Sequence, residues 1–149
     1  MNESFEIVIA DRPFVMRRVA RWSDCDPAGV VYAGNYPEYL MCAVFHFLRA
    51  VRGRGEATIA PEVELPCKHM ELTFENSVYP DDELDIAVGV SGMRTHTFDI
   101  FVEARLADGR RAFTGMFSAI CIRSDGTREK ARLPDALRQA LEPHLVPGA

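Results

Sequence analysis

The sequence predicts an α+β fold in which one long central helix is wrapped by one curved antiparallel sheet of about five strands. Two observations carry this prediction. One strand-like segment precedes a long, strongly apolar helix, and four further strand-like segments follow it with no other long helix between them. Strands joined by short turns pair antiparallel, and a helix that is apolar around most of its circumference has to be buried against another layer.

The first strand and the central helix have clear sequence signals. Residues 14–22 are rich in aromatic and β-branched side chains and predict a strand. Residues 36–51 predict the helix, because Pro37 fits its first turn and Gly53 stands just beyond its end. The few polar side chains of this helix fall within an arc of about 80°: Glu38, His46 and Arg49.

Four strands are predicted after a loop at residues 52–63. They cover residues 66–75, 84–90, 98–104 and 112–122. The last of them is apolar on both faces, which is typical of a strand inside a sheet. Asp108-Gly109 is a strong hairpin signal, and residues 134–144 predict a short amphipathic C-terminal helix.

Length and composition favour a globular protein with a single domain over residues 1–149. Of the 149 residues, 48% are hydrophobic and 26% are charged. No stretch approaches the 18 or more apolar residues of a membrane span, and the N-terminus lacks the basic start of a signal peptide. We therefore expect a cytoplasmic protein with no membrane partner. The net charge of −5 argues against nucleic acid as a partner.

The four cysteines are scattered without C-x-x-C spacing: Cys25, Cys42, Cys67 and Cys121. One lies in the predicted helix and two lie in strand-like segments. This distribution favours reduced thiols in a cytosolic protein over a zinc site or a disulfide framework.

A short loop before the central helix carries the most specific motif of the chain. It reads D-C-D-P-A-G-V-V-Y from Asp24 to Tyr32 and places Asp26 on a Pro/Gly turn close to the helix N-terminus. Backbone N–H groups at a helix N-terminus are unpaired within the helix and point outward. A carboxylate beside such donors is suited to attack on a carbonyl whose oxyanion the N–H groups then stabilise.

Three other interpretations compete for this motif, and only the first of them stays open on the sequence. An Asp and a Pro before a helix often only cap the helix and turn the chain. The Asp nucleophile of a phosphotransferase needs a parallel sheet with helical crossovers, and no repeated β–α pattern follows here. A metal-bridging D-x-D of a sugar transferase needs a nucleotide-sugar domain, for which 149 residues leave little room.

The segment D-C-D-P-A-G-V-V-Y-x-x-N-Y, followed by a buried helix, resembles the signature of the 4-hydroxybenzoyl-CoA thioesterase family, which has the hotdog fold. Residues 74–84, with a Pro and an acidic pair before a Leu, are similar to the strand-turn-strand of that family. The resemblance implies a homodimer or homotetramer with active sites at the subunit interface. It also implies hydrolysis of acyl-CoA thioesters without a metal or a redox cofactor.

The resemblance assigns roles around the loop. Asp26 matches the catalytic carboxylate, which acts as a nucleophile or as a general base on water. The backbone N–H groups of Ala33 and Gly34 match the oxyanion donors. Gly29 lets the backbone turn closely past the substrate, and Asp24 stabilises the loop.

The phosphates of CoA require a local basic patch on an acidic protein. The segment from Arg123 to Arg132 holds four Arg or Lys against two acids and includes Arg128 and Lys130. Arg94 and His96, in the turn between two strands, stand where the family often places phosphate-binding side chains. Solvated loop charges are the alternative for each of these residues.

The acyl pocket is expected at the start of the helix, with Tyr32, Tyr36 and Tyr39 as candidate walls. Aromatic walls suit a flat aromatic acyl group and equally a medium-length aliphatic one. Glu38 fits a partner of the helix dipole in the first turn, and His69 fits a polar face or an interface.

Two other functions compete with the thioesterase. A hotdog-fold hydratase or dehydratase would use a His with an acidic partner, and no loop motif matches this among the four histidines of the chain. A non-catalytic acyl-CoA binding module would keep the pocket and lose the chemistry. The intact loop around Asp26 argues against such a module.

Overall fold

Six strands form one antiparallel sheet in the computed structural model, which describes residues 5–147. In chain order, the strands are β1 (Glu6–Asp11), β2 (Phe14–Val19), β3 (Val63–Glu64), β4 (Cys67–Phe74), β5 (Glu83–Met93), β6 (Thr97–Leu106), β7 (Arg111–Ile120) and β8 (Ile122–Arg123). The sheet has the order β1-β2-β5-β6-β7-β4, and β3 pairs with β8 in a separate two-stranded sheet. The helices are α1 (Tyr36–Arg52) and α2 (Asp135–Leu141).

Helix α1 is the centre of the core. Seven of its residues are buried: Tyr36, Tyr39, Leu40, Ala43, Val44, Phe47 and Leu48. They pack against the inward-facing side chains of the sheet, where alternate residues of β5 and β6 are buried as a period-2 pattern requires. One long helix wrapped by a curved antiparallel sheet is the hotdog fold, so the predicted fold is confirmed.

One side of α1 is more exposed than the sequence suggested. Glu38 and Arg49 are exposed, as their place in the polar arc predicts. Phe45, however, is 49% exposed, although its apolar ring suggested burial. The described helices include none that is long and apolar enough to cross a membrane.

The structure adds β1 to the main sheet, and the two-residue β3 beside it, neither of which the sequence analysis predicts. Strand β1 forms an edge of the sheet and pairs only with β2 among the described residues. Its apolar side chains are largely exposed, and its register shifts between Val8 and Ala10. An exposed edge strand with a bulge lacks the clean alternation of a half-buried strand, so its sequence gave a weak signal.

Most predicted boundaries agree with the structure to within a few residues. Strand β2 ends at Val19 and not at Trp22, because a short 3₁₀ turn at Trp22–Asp24 leads into the motif loop. The interior position of β7, between β6 and β4, confirms the prediction from its apolar faces. The Asp108-Gly109 hairpin is confirmed too, since Gly109 has a φ of +88°.

Candidate active site

The motif loop folds back on itself as a tight hairpin. Cys25 and Val31 form an isolated antiparallel bridge. The Asp26 N–H donates to the Val30 carbonyl, and the Gly29 N–H donates to the Asp26 carbonyl, each at 2.9 Å. Gly29 has a φ of +82°, a left-handed conformation that side chains disfavour. The turn therefore needs glycine at this position.

The Asp26 side chain is half-buried, and only one of its two carboxylate oxygens is hydrogen-bonded within the turn. Its Oδ1 accepts a hydrogen bond of 2.9 Å from the Ala28 N–H, which is the capping and turning role anticipated as an alternative. Its Oδ2 accepts no hydrogen bond from any residue of the described range 5–147. One carboxylate oxygen is thus available for chemistry while the other holds the orientation of the side chain.

Asp24 holds the loop in place. Its Oδ2 accepts hydrogen bonds from the Tyr39 hydroxyl at 2.8 Å and the Arg21 N–H at 3.2 Å. Burial raises the pKa of the Asp24 carboxyl, but these hydrogen bonds and the Arg21 charge outweigh it, so the pKa lies below its usual value. The Asp24 carbonyl accepts from the Asn35 side chain at 2.7 Å and from the Tyr32 N–H at 2.9 Å.

Free backbone donors lie at the start of α1. A 3₁₀ turn at Ala33–Asn35 runs directly into the helix. The N–H groups of Ala33 and Gly34 form no hydrogen bond within the part of the chain that the structure describes, as the first turn of a helix requires. A Cβ at Gly34 would lie 2.4 Å from a ring carbon of Tyr32. The Tyr32 ring therefore packs on the Gly34 backbone.

A cavity of about 240 Å³ adjoins these donors. It is lined by Val30, Val31, Ala33, Tyr36, Phe74, Glu75, Asn76 and Ser77. The Tyr36 ring lies 5.0 Å from the Phe74 ring and 5.2 Å from the Phe113 ring. Residues 74–77, at the end of β4 and just beyond it, carry a sequence signal only through the family resemblance, which does not identify them as a pocket wall.

The three candidate tyrosines have different places. Tyr36 lines the cavity, and burial raises the pKa of its hydroxyl to about 12. Tyr32 is exposed on Gly34. The expectation that Tyr39 forms a pocket wall is wrong, because its side chain is fully buried beneath the loop and bonded to Asp24.

Other reactive groups near the loop are less suited to attack. Cys25 lies between two carboxylates, and burial, Asp24 and Asp26 each raise the pKa of its thiol.

The four histidines contact residues outside the loop: His46 lies near Glu6, His69 near Glu71, His96 near Ala131 and His144 near Phe47. Within residues 5–147, no three His, Cys, Asp or Glu side chains are grouped as a metal site.

Arg94 and His96 form internal contacts. The Arg94 guanidinium forms two hydrogen bonds to Asp99, at 2.7 and 2.9 Å, and donates from Nε to the Thr97 hydroxyl at 2.8 Å. The pKa of Asp99 is lowered by this pairing above all. His96 Nδ1 lies 2.8 Å from the Ala131 carbonyl oxygen. Arg94 would have to exchange Asp99 for a phosphate in order to bind one.

The basic segment near the C-terminus lies beside this turn. A cavity of about 550 Å³ is lined by Glu62, Val63, Arg123, Ser124, Asp125, Lys130, Ala131, Arg132 and Pro134. Lys130 forms no ion pair with the described residues, whereas Arg123 is paired with Asp125 at 2.8 Å. Arg128 lies outside this lining, on an exposed turn where its φ is +57°.

The catalytic and phosphate-binding candidates lie at opposite ends of α1. Asp26 precedes the start of the helix, whereas Arg52, its last residue, donates to the Ala60 and Val63 carbonyls. Val63 pairs with Arg123 in the two-stranded sheet. A helix of 17 residues is about 25 Å long. One subunit therefore does not hold both groups of candidates side by side.

A comparison with known protein families shows to which family the chain belongs. The family profile described as the thioesterase-like superfamily matches residues 20–141. The chain belongs to the thioesterase-like superfamily. The hotdog fold and the thioester hydrolase expected from the sequence are thereby confirmed at the level of this superfamily.

Three other proteins are similar to the chain in sequence or in fold. A 1,4-dihydroxy-2-naphthoyl-CoA hydrolase of Prochlorococcus marinus (strain MIT 9313) is 24% identical over 136 residues, which cover 86% of this chain and 89% of that protein. A crystal structure of a thioesterase superfamily protein from Jannaschia sp. CCS1 has a TM-score of 0.82 at 26% identity, covering 92% and 96% of the two chains. A gentisyl-coenzyme A thioesterase structure has a TM-score of 0.73 at 19% identity, covering 85% and 98%.

A second basic groove was missed at the sequence level. In this member of the superfamily, a cavity of about 620 Å³ at the C-terminal end of α1 is lined by Arg49, Arg52 and Arg54 and by apolar walls that include Phe45. None of the described residues that line it carries a carboxylate. The only sequence signal for this groove is the repeat Arg52-Gly53-Arg54-Gly55, which by itself predicts a loop.

Proposed function

We propose that this protein is an acyl-CoA thioesterase that uses Asp26 to hydrolyse the thioester of an aromatic acyl group. The observation that carries the proposal is the juxtaposition of three elements in one short segment. The segment from Asp26 to Tyr36 carries a carboxylate with one oxygen that accepts no hydrogen bond from residues 5–147 and two backbone N–H groups, at Ala33 and Gly34, that are unpaired within the same range. Ala33 and Tyr36 of this segment also line the aromatic cavity.

The chemistry follows from this arrangement. The Asp26 carboxylate attacks the thioester carbonyl carbon, or removes a proton from a water molecule that attacks it. The carbonyl oxygen becomes an oxyanion that accepts from the N–H groups of Ala33 and Gly34. Collapse of the tetrahedral intermediate breaks the C–S bond and releases the CoA thiolate. In the nucleophilic route, water then hydrolyses the mixed anhydride and restores the carboxylate.

The walls of the cavity support an aromatic acyl group. The rings of Tyr36 and Phe74 form one side of the cavity, and its volume of about 240 Å³ suits a single ring or a pair of fused rings. Two of the named relatives act on aromatic acyl-CoA, one bicyclic and one monocyclic. A substrate of the 4-hydroxybenzoyl-CoA type belongs to the same class.

The catalytic and the phosphate-binding candidates lie at opposite ends of α1 in one subunit. A site shared between two subunits of a homodimer or homotetramer would bring them together. The β4 edge of the sheet is unpaired among the described residues, and Phe45 exposes its ring on α1. In a two-fold pair that joins β4 edges, the helices run antiparallel. The basic end of one helix then approaches the Asp26 loop of the partner, and CoA extends from one subunit to the other.

Thiol release from a panel of acyl-CoAs tests the proposal. The panel contains benzoyl-, 4-hydroxybenzoyl-, gentisyl- and 1,4-dihydroxy-2-naphthoyl-CoA with acetyl- and hexanoyl-CoA as aliphatic counterparts, and a thiol-reactive dye follows the product. We expect the highest kcat/KM on an aromatic member. Tight binding of these compounds without thiol release would indicate a binding module. Crotonyl-CoA is added as an enoyl thioester, and its hydration without thiol release would indicate a hydratase.

A further inference from the structure

A buried arginine lies beneath the motif loop. Arg18, on β2, is 0% exposed, the largest of the fully buried side chains. Its Nη1 is paired with Glu6 of β1. Its guanidinium carbon lies 3.9 Å from the centre of the Tyr39 ring and 5.2 Å from that of Phe5. Arginine is almost never fully buried unless it is paired.

This arginine is not fully satisfied. Its Nε and Nη2 form no hydrogen bond with the described residues. Nη2 lies 3.8 Å from Asp24 Oδ2 and 3.7 Å from Glu38 Oε1, beyond hydrogen-bond distance from either. A buried ion pair is weak support for stability, since apolar side chains of similar volume often stabilise a protein as well or better. Stability alone therefore does not account for Arg18.

The contacts of Arg18 lead to the catalytic carboxylate. Its guanidinium lies on the face of Tyr39, and the Tyr39 hydroxyl donates to Asp24. The Asp24 carbonyl in turn accepts from the Tyr32 N–H, immediately before the free N–H of Ala33. Asp26 follows Asp24 by two residues. The chain of contacts thus reaches Asp24, two residues before the attacking carboxylate, and Tyr32, the residue before the first backbone donor.

We propose that Arg18 is a positioning residue that acts through Tyr39 and Asp24 to hold Asp26 and the Ala33 N–H in reactive geometry. The proposal rests on the proposed function of the same site. Strand β1 takes part in it, because Glu6 pairs with Arg18 and also lies 3.3 Å from His46 on α1. The edge strand that the sequence did not reveal therefore closes the cluster under the loop.

Arg18→Lys tests the proposal, with Arg17→Lys as the matched control. Lysine keeps the charge but loses the planar group that lies on Tyr39 and spans several carboxylates. A small displacement of reacting groups can lower the rate about 100-fold. We expect kcat to fall at least tenfold with little change in KM. Arg17, the next residue of β2, is paired with Asp85 at 2.8 Å on the outer side, so Arg17→Lys should leave both constants unchanged.

Tyr39→Phe provides a second and milder variant. It keeps the ring on Arg18 and removes only the hydrogen bond to Asp24. For Tyr39→Phe we expect a lower kcat at unchanged KM. The double variant with Arg18→Lys should be no slower than the slower of the two single variants, because the two residues act in one chain of contacts. If Arg18→Lys does not fold, the kcat of Tyr39→Phe decides.

Two results separate this proposal from the proposed function. If the wild type hydrolyses no acyl-CoA of the panel, the proposed function fails. If the wild type is active and both Arg18→Lys and Tyr39→Phe keep kcat within twofold, only the positioning role fails. A fall in kcat that merely follows the folded fraction, measured by circular dichroism, would also overturn it.

Discussion

The Tyr39 hydroxyl donates a hydrogen bond of 2.8 Å to Asp24 Oδ2. This contact joins the first turns of α1 to the hairpin that carries Asp26. Because Tyr39 is fully buried, the helix and the hairpin are held as one unit. The proposed oxyanion donors, the Ala33 and Gly34 N–H groups, belong to the start of the helix, and the proposed catalytic carboxylate of Asp26 belongs to the hairpin. Their relative position is therefore set before any substrate binds, which is what electrostatic preorganisation requires.

Replacement of Asp26 by Asn should remove the chemistry and keep the fold. Asn still accepts the Ala28 N–H that Asp26 Oδ1 accepts at 2.9 Å, so the turn survives. We expect kcat and kcat/KM to fall together by about 10²–10⁴-fold, because the carboxylate acts in the transition state. Steady-state kinetics on the best acyl-CoA measures this.

Asp108→Asn is the matched control for that variant. The Asp108 carboxylate accepts a hydrogen bond of 3.0 Å from the backbone N–H of the second residue after it, as the Asp26 carboxylate does. Asp108, however, lies in the exposed hairpin between β6 and β7. Its kcat should equal that of the wild type. If Asp26→Asn retained more than about a tenth of wild-type kcat, a loss smaller than general acid–base catalysis usually gives, Asp26 would be only a turn residue.

Stability should depend on pH through Asp24. Its pKa is lowered in the folded protein, so its contribution is fully present above the unfolded-state value, about pH 4, and is lost as the pH falls through the lowered value. Asp24→Asn should therefore reduce the free energy of unfolding by about 1–3 kcal/mol at pH 7. The difference from wild type should shrink below about pH 4.

Urea unfolding at pH 7, 5, 4 and 3 measures this dependence. Asp81→Asn serves as the control, because Asp81 is exposed and Asn tolerates its φ of +71°. That variant should stay close to wild type at every pH. A constant difference between Asp24→Asn and wild type from pH 7 to 3 would contradict the assigned role of the Asp24 charge.

The basic segment should affect binding and not chemistry. Replacing Arg128 and Lys130 together by Gln should raise KM for acyl-CoA with little change in kcat, because phosphate contacts are equal in the ground and transition states. The corresponding pantetheine thioester, which lacks the nucleotide, should show no effect. The pair Arg49→Gln and Arg54→Gln tests the second basic groove in the same assay. An equal loss on both substrates would exclude phosphate binding by the altered pair.

A mixing experiment tests whether two subunits share one site. Subunits with Asp26→Asn are unfolded and refolded together with subunits that carry the Arg128 and Lys130 replacements. In a shared site, one of the two sites of the heterodimer combines an intact loop with an intact basic segment, and activity with wild-type KM should return. If each subunit forms its own site, no such activity returns. Sedimentation of the wild type as a 16.7 kDa monomer would exclude sharing altogether.

The elements with a periodic or local signal were predictable from the sequence. Helix α1 follows from its apolar circumference, and the turn at Asp26 follows from Pro27 and Gly29. The cluster around Arg18 was not predictable, because a charged residue in a strand usually faces solvent. The partners of Arg18 are Glu6, 12 residues before it, and Asp24 and Tyr39, 6 and 21 residues after it. No local sequence pattern joins these positions. The role of Tyr39 was missed for the same reason.

The two edges of the sheet differ in a way that bears on polymerisation. Both edge strands contain a register shift, but at different places. In β4 the shift lies at the start of the strand, between Cys67 and His69, and leaves His69 to Phe74 in unbroken register. In β1 it lies in the middle, between Val8 and Ala10. A sheet with two regular edges could add subunits at both ends and grow into a fibre. The shift in the middle of β1 makes continued addition at that edge unfavourable, so the proposed pairing through β4 would end with two subunits. A change that straightened β1, while Ile7 and Ile9 stayed exposed, would convert a closed assembly into one prone to fibre growth.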